Sequence, residues 1–207
     1  MSSAIDLSNG LSALGLVVAQ PEQQKMLALL LLMQKWNKVY NLTAIRDPRQ
    51  MVSNHLLDSL AVLPHLKAGR WIDVGCGAGL PGLVLAIAKP DWPFTLLDSN
   101  SKKTSFVQQA SIELGLGNID VQCKRVEDWQ ALEKYDGVIS RAFAETAEFV
   151  STTRHLLKEG GTWAAMKGNP EEELKHLPKG VLVKEIISLR VPNLDATRCL
   201  VVLRENK

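Results

Sequence analysis

The segment Trp71-Ile72-Asp73-Val74-Gly75-Cys76-Gly77-Ala78-Gly79-Leu80-Pro81-Gly82 restricts what this chain can fold into more than any other stretch. A short β-like run delivers an acid, and a glycine-rich turn then opens a helical pattern over Pro81–Ala88. Glycines permit the tight turn and let a ligand approach bare backbone. The helix start offers unpaired N–H groups and the positive end of a dipole. A strand that feeds a helix through such a turn is half of a βαβ unit, so the segment calls for a parallel sheet with crossover helices.

The surrounding pattern agrees. From about Arg70, β-like and helical stretches alternate: Phe94–Asp98 then Lys102–Leu116, Ile119–Lys124, Tyr135–Ser140 then Glu145–Leu157, and Thr162–Lys167. Gly115, Gly117 and the pair Gly160-Gly161 fall where these helices should end. Two β-like runs, Val181–Val191 and Cys199–Arg204, close the chain with no room between them for a crossover helix, so they must pair antiparallel. The first third is helical. Leu7, Leu11 and Leu14 recur at helical spacing, and Pro21 opens a second helix with Met26, Leu29, Leu30, Met33, Trp36 and Tyr40 on one face. Asp47-Pro48-Arg49-Gln50 reads as N-cap, N1 proline and capping-box partner of a helix that carries Met51, His55, Leu56, Leu60 and Leu63.

Composition sets outer limits. With 24 Lys and Arg against 22 Asp and Glu the net charge is +2, so a polyanion must be met by a local basic face rather than by the whole molecule. Cys76, Cys123 and Cys199 are odd in number and lack C-x-x-C spacing, which argues against a disulfide framework or zinc site and fits a reducing cytoplasm. No metal ligand set is expected. Met1 to Gln20 lacks the pattern of a secretory signal, and the apolar run Met26–Met33 is far short of the roughly 20 residues that span a bilayer. The expectation is a soluble cytoplasmic protein without membrane contact.

Two cofactor classes suit the glycine turn. Gly77-x-Gly79-x-x-Gly82 satisfies the dinucleotide fingerprint, with Asp98 near the distance of a ribose-binding acid. Asp73 ahead of Gly75, Gly77 and Gly79 gives D-x-G-x-G-x-G, and with the C-terminal hairpin this favours S-adenosylmethionine over a nicotinamide. The expected architecture is therefore α/β: a Rossmann-like class I methyltransferase fold with a mainly parallel sheet, a C-terminal antiparallel hairpin and an N-terminal helical extension. The extension covers residues 1–66, packed on a cofactor-binding domain over 67–207. Asp98 ends the second strand, where its carboxylate can take ribose hydroxyls or cap the following helix. Val126 and Glu127, after the third strand, can flank an adenine, although Glu127 reads nearly as well as a solvated loop acid.

On the acceptor side the fourth strand runs into Ser140-Arg141-Ala142-Phe143-Ala144, which carries neither an N/D-P-P-Y motif nor a Pro-Cys nucleophile. Arg141 there and Lys167 at the end of the fifth strand suggest polyanion handling, with Arg125 and Arg198 extending the rim. Lys102 and Lys103 are weaker candidates in the first turn of a helix, and His55 reads as a core histidine rather than a catalyst.

The chain closely resembles the RsmG (GidB, glucose-inhibited division protein B) family of bacterial 16S rRNA guanine-N7 methyltransferases. The resemblance rests on Lys35-Trp36-Asn37-Lys38-Val39-Tyr40-Asn41-Leu42-Thr43, Arg46-Asp47-Pro48, His55-Leu56-Leu57-Asp58-Ser59, the glycine segment through Gly82, Leu96-Leu97-Asp98-Ser99 and Ser140-Arg141-Ala142-Phe143. It implies methyl transfer to N7 of one guanine in a conserved 16S rRNA loop near the decoding centre. It also implies cofactor contacts at Gly75, Leu80, Val126, Glu127 and Arg141. The implied partner is 16S rRNA, free or within the 30S subunit or an assembly intermediate, met by a monomer. Guanine N7 exposes a lone pair, so no general base is required. Arg141 would position substrate and cofactor, and catalysis would come from in-line placement. A small-molecule or protein methyltransferase, and a nucleotide-binding RNA module without catalysis, remain open alternatives.

Overall fold

A computed structural model describes residues 2–206 apart from Ala142 and Ala144. Seven strands form one sheet: β1 (Trp71–Val74), β2 (Phe94–Asp98), β3 (Ile119–Cys123), β4 (Tyr135–Arg141), β5 (Leu157–Lys167), β6 (Val181–Ser188) and β7 (Cys199–Glu205), in the order β3-β2-β1-β4-β5-β7-β6. The first five run parallel, and β7 inserts antiparallel between β5 and β6. Strand order reverses between β1 and β4, which opens a crevice at their carboxyl ends.

Both faces of the sheet are covered, so its central strands are buried on both sides. On β1, Trp71 joins the core under the N-terminal helices, whereas Ile72 and Val74 point into the core on the other face with Tyr135, Phe149 and Trp163. The helices α5 (Gly82–Ala88), α6 (Ser101–Glu113) and α7 (Thr146–Thr153) make the crossovers after β1, β2 and β4. α6 is capped by Asn100, whose side chain accepts from Lys102 N and Lys103 N; Asp98 is therefore not the cap.

The N-terminal helices α1 (Ser2–Ala13) and α2 (Gln20–Tyr40) lie on the α5 side, and Leu7, Met26, Leu29 and Met33 share one apolar cluster with Leu83, Leu85 and Phe106. The buried face of α2 is slightly rotated from the expected one. Asn37 is buried, and Tyr40 is 43% exposed. Asn37 is tied down by two bonds with the Thr43 backbone, at 2.9 and 3.0 Å, which satisfies its amide inside.

Three expectations need correction. The helix after Pro48 is not uniform: α3 (Pro48–Met51) runs into a π-helical turn over Val52–Leu57 before α4 (Asp58–Leu60). Asp47 caps it by accepting from Arg49 N at 3.0 Å, but no reciprocal bond from Asp47 N to the Gln50 side chain is present among the described residues, and the Gln50 backbone carbonyl accepts from the Asn54 side chain. Gly160 and Gly161 do not end a helix. They lie inside β5, where Gly160 takes φ +75° and the register against β4 slips between Tyr135 and Gly137. This is the signature of a β-bulge, and Leu157, just before it, already pairs with Tyr135. Gly117 keeps an ordinary φ and follows the turn that Gly115, at φ +63°, makes.

Candidate active site

The glycine turn leaves β1 at Gly75 and is bonded to its surroundings almost completely. Gly75 N and Cys76 N donate to Leu97 O at 2.8 and 3.1 Å, and Gly77 N donates to Asp98 Oδ2 at 2.8 Å. Gly79 N and Leu80 N both go to Cys76 O. Ala78 is thus the turn residue whose N–H has no partner among the described residues, and the row of unpaired donors expected from the sequence is mostly consumed by the end of β2 and by Cys76 O. Gly77, at φ +57°, has open space where a side chain would stand, so a ligand can lie on its backbone. Gly82 does the opposite job: a Cβ there would meet Asp73 Oδ2 at 2.8 Å and Leu96 at 2.9 Å, so its hydrogen lets α5 close onto β1 and β2.

Asp73 is completely buried beneath this turn. Its Oδ2 accepts from Gly82 N at 2.7 Å, while Oδ1 has no partner among the described residues. Burial pushes the carboxyl up to about 7 against the opposing pull of the Gly82 N–H and the Arg141 guanidinium. Asp98 sits at the end of β2, partly exposed, with Oδ2 on Gly77 N and Oδ1 on Asn100 N, both at 2.8 Å. Each oxygen keeps a second lone pair for an outside donor. Leu80 and Val126 are buried at 4% and 7%, whereas Glu127 is exposed on the short turn after β3. Burial also drives the Cys76 thiol well above its usual range, so it is packed and inert.

Beside the turn, past the end of β4, lies a cavity of about 460 Å³ lined by Asn54, His55, Asp58, Arg141, Lys167 and Arg198, with Thr43 and Phe143 at its walls. A Cβ on Gly75 would touch the Phe143 ring at 3.1 Å, so that ring separates the turn from the cavity. Of the predicted basic residues, Arg141, Lys167 and Arg198 come together here; Arg125 does not, standing exposed beyond β3 at the start of the Val126 turn. Lys167 is only 11% exposed and its Nζ lies 2.7 Å from Glu173 Oε2. Burial alone would raise the Glu173 carboxyl, but Lys167 together with Thr146, which donates from N and Oγ1, outweighs it and holds the group low.

Two contributors, Asp58 and Asn54, were missed by sequence reasoning, whereas His55, read as a core histidine, is 3% exposed. Asp58, 2% exposed, accepts from Arg141 Nη1 and Arg198 Nε, each at 3.1 Å. The π turn supplies Asn54 O, which takes a second bond from Arg141 Nη1 at 2.9 Å. His55 lies at the cavity wall, with Nε2 3.2 Å from Thr43 Oγ1. Burial first and Arg141 second push its imidazole down to about 4, so it is neutral at ordinary pH. One signal was available for Asp58. An acid among Leu56, Leu57 and Leu60 on a buried helix demands a cationic partner. A groove of about 750 Å³ opens at the other end of the sheet among Lys67, Lys134, Arg154 and Arg204 and is lined by none of the predicted site residues.

The family description GidB, rRNA small subunit methyltransferase G, matches residues 22–201. A Ribosomal RNA small subunit methyltransferase G from Laribacter hongkongensis is 53% identical over 199 residues, covering 96% of each chain. The protein of that name from Chromobacterium violaceum is 50% identical over 198 residues, covering 95% of each. Among solved structures, the N-methyltransferase NodS from Bradyrhizobium japonicum, in complex with S-adenosyl-L-homocysteine, superposes with a TM-score of 0.55 at 12% identity, covering 84% of this chain and all of that one. TrmN from Thermus thermophilus gives 0.54 at 16% identity, covering 74% and 53%. These structural likenesses speak to the fold alone.

Proposed function

The chain belongs to the family of ribosomal RNA small subunit methyltransferase G and is a methyltransferase; from that premise we propose that it methylates N7 of a guanine in 16S rRNA, with S-adenosylmethionine as donor. The observation that carries this reading is the juxtaposition at the sheet's switch point. A glycine turn with room over Gly77 and a sealed acid beneath it ends β1, and a cavity holding Arg141 and Arg198 ends the neighbouring β4.

The residues fit the donor. Asp98 keeps lone pairs for ribose hydroxyls, Val126 offers apolar surface with Glu127 beside it, and Leu80 packs under the turn. Gly77 keeps its backbone bare, while Gly75 and Gly79 let the Phe143 ring and Leu83 close on the turn, and Ala78 N–H is available for a carboxylate. The unpaired Oδ1 of Asp73 favours a cationic group close by. When bound, S-adenosylmethionine supplies a sulfonium methyl, which leaves as a cation equivalent while the carbon–sulfur pair stays on sulfur. The chain's own part is to hold the acceptor ring in line and to keep water out.

No proton has to leave before guanine N7 attacks, and the cavity matches that. Its histidine is neutral and bonded to Thr43, and its one acid, Asp58, is committed to two arginines. The cations face the phosphates of a splayed loop, which is how single-stranded RNA segments are gripped. Arg141 and Arg198 are the main contacts, with Lys167 behind them and Arg125 outside the cavity. Residues 1–66 and 67–207 act as one unit, because Asp58 of the extension is bonded to both strand ends. No helix among the described residues is long and apolar enough to cross a membrane. The proposed setting is cytoplasmic, with the monomer acting on the 30S subunit or an assembly intermediate.

The test is to map 7-methylguanosine in 16S rRNA from cells with and without this protein. Radiolabel transfer by the purified chain to naked 16S rRNA and to 30S particles would then be compared. A modification that persists without the protein would overturn the reading.

A further inference from the structure

Asp58 is out of place by simple electrostatics. A cavity that receives phosphate gains from every cation and loses from every anion, yet a carboxylate only 2% exposed stands in its wall. Its two oxygens are divided. Oδ2 accepts from Arg141 Nη1, which comes from the end of β4, 83 residues away in sequence. Oδ1 accepts from Arg198 Nε, which precedes β7 and is 140 residues away. One carboxylate therefore fixes two guanidiniums that would otherwise repel each other, and each keeps N–H groups that the carboxylate does not use. Arg141 and Arg198 remain 25% and 31% exposed, so those groups can reach solvent in the cavity.

Resting on the function proposed above, we infer that Asp58 is the positioning residue of the acceptor side. It holds Arg141 and Arg198 at a set spacing and orientation, so that together they grip one phosphate of the rRNA segment carrying the target guanine. Asp58 itself touches no substrate. Its dependents are unequal. Arg141 keeps a second anchor on Asn54 O at 2.9 Å, whereas among the described residues the other bond of Arg198 runs to its own neighbour, Thr197 O. Loss of Asp58 should release Arg198 most and Arg141 least. The consequence falls on RNA more than on the cofactor.

The variant Asp58→Asn gives this inference a sign that plain charge cannot give. It removes an anion from the cavity, so a pure charge effect tightens RNA binding and steepens its salt dependence. Positioning requires the reverse. With 30S particles as substrate, KM should rise about tenfold while kcat stays within about twofold, and the salt slope should become shallower. The affinity for S-adenosylmethionine, measured by calorimetry, should move by less than about threefold. Asp58→Glu should restore part of the loss, and in an Arg198→Gln background Asp58→Asn should raise KM little further. A KM that is unchanged or lowered in folded Asp58→Asn protein overturns the inference. Should that variant not fold, Arg198→Lys carries the same test, since it keeps the charge and loses the fork; an unchanged KM there overturns the inference equally. Wild-type protein run alongside separates the two levels: no 7-methylguanosine from wild type refutes the proposed function, whereas normal wild-type transfer with an indifferent Asp58 refutes only the positioning role.

Discussion

Replacement of Asp98 by Asn separates a residue that binds cofactor from one that merely braces a turn. The Asp98 carboxylate receives Gly77 N–H on one oxygen and Asn100 N–H on the other, each at 2.8 Å. Asparagine has one oxygen, so in either orientation one backbone N–H faces an amide NH2 instead of an acceptor. Hydrogen bonds to charged groups contribute about 1.5–3 kcal/mol, and water at this half-exposed site replaces part of that, so stability should fall by roughly 1–2 kcal/mol. In a chain of this size that is a drop of about 2–8 °C in Tm. If the carboxylate also accepts from the ribose, the affinity for S-adenosylmethionine should weaken a further tenfold to hundredfold, about 1.5–3 kcal/mol. The control is Asn100→Ala. It removes the cap of α6 at a cost near 1 kcal/mol without touching the carboxylate, so it should lower Tm and leave affinity intact. Calorimetry with S-adenosylmethionine and S-adenosylhomocysteine on all three proteins, beside thermal melts, decides the matter. An Asp98→Asn affinity within twofold of wild type, or an equal loss in both variants, refutes the ribose assignment.

The raised Asp73 carboxyl means that the folded state keeps a proton the unfolded chain releases from its ordinary 3.8 upward, so stability is present at low pH and declines as pH climbs to about 7. Asp73→Asn should remove that decline, a difference on the order of 2–4 kcal/mol between pH 4 and 7.5, and parallel unfolding curves for both proteins across that span would contradict it. Between pH 6 and 9 single-turnover methylation at saturating substrates should show no limb from the cavity histidine, which burial pushes down to about 4, so any limb there should come from Asp73 and vanish in Asp73→Asn; a steep limb that persists in that variant would count against base-free transfer. Gly137→Ala would drive a Cβ to within 2.5 Å of three atoms of the buried Trp71 ring, so Tm should drop by several degrees, and a neutral melt would mean that β1 and β4 can part more easily than their register implies.

The strands and crossovers were legible because their causes are local. Glycine after Asp73-Val74, alternation between β-like and helical runs, and a closing hairpin too short for a crossover all act within a dozen residues. The cofactor turn was readable for the same reason. What escaped was set by distance along the chain. Asp58 meets Arg141 and Arg198 across 83 and 140 residues of chain, and nothing near it in sequence names those partners. Gly160-Gly161 looked like a helix stop because a bulge and a C-cap demand the same positive φ, and only the register against β4 tells them apart. The turn's donors looked free because their acceptors, Leu97 O and Asp98, belong to the next strand.

The π turn at Val52–Leu57 has a consequence for how this region can change length. Along an α-helix each residue rotates the chain by about 100°, and a π turn stores one residue more than that progression requires. The surplus acts as a phase adjuster. It lets Met51 and Leu56 both seek the apolar cluster while Asn54 and Asp58 aim at the arginines from the same rod. Loss of any one codon between 52 and 57 would allow regular α geometry from Pro48 to Leu60, with better-formed local bonds. It would also swing everything upstream by about 100° relative to Asp58. The helix would gain and the alignment of Asn54 and Asp58 with the apolar face would be lost.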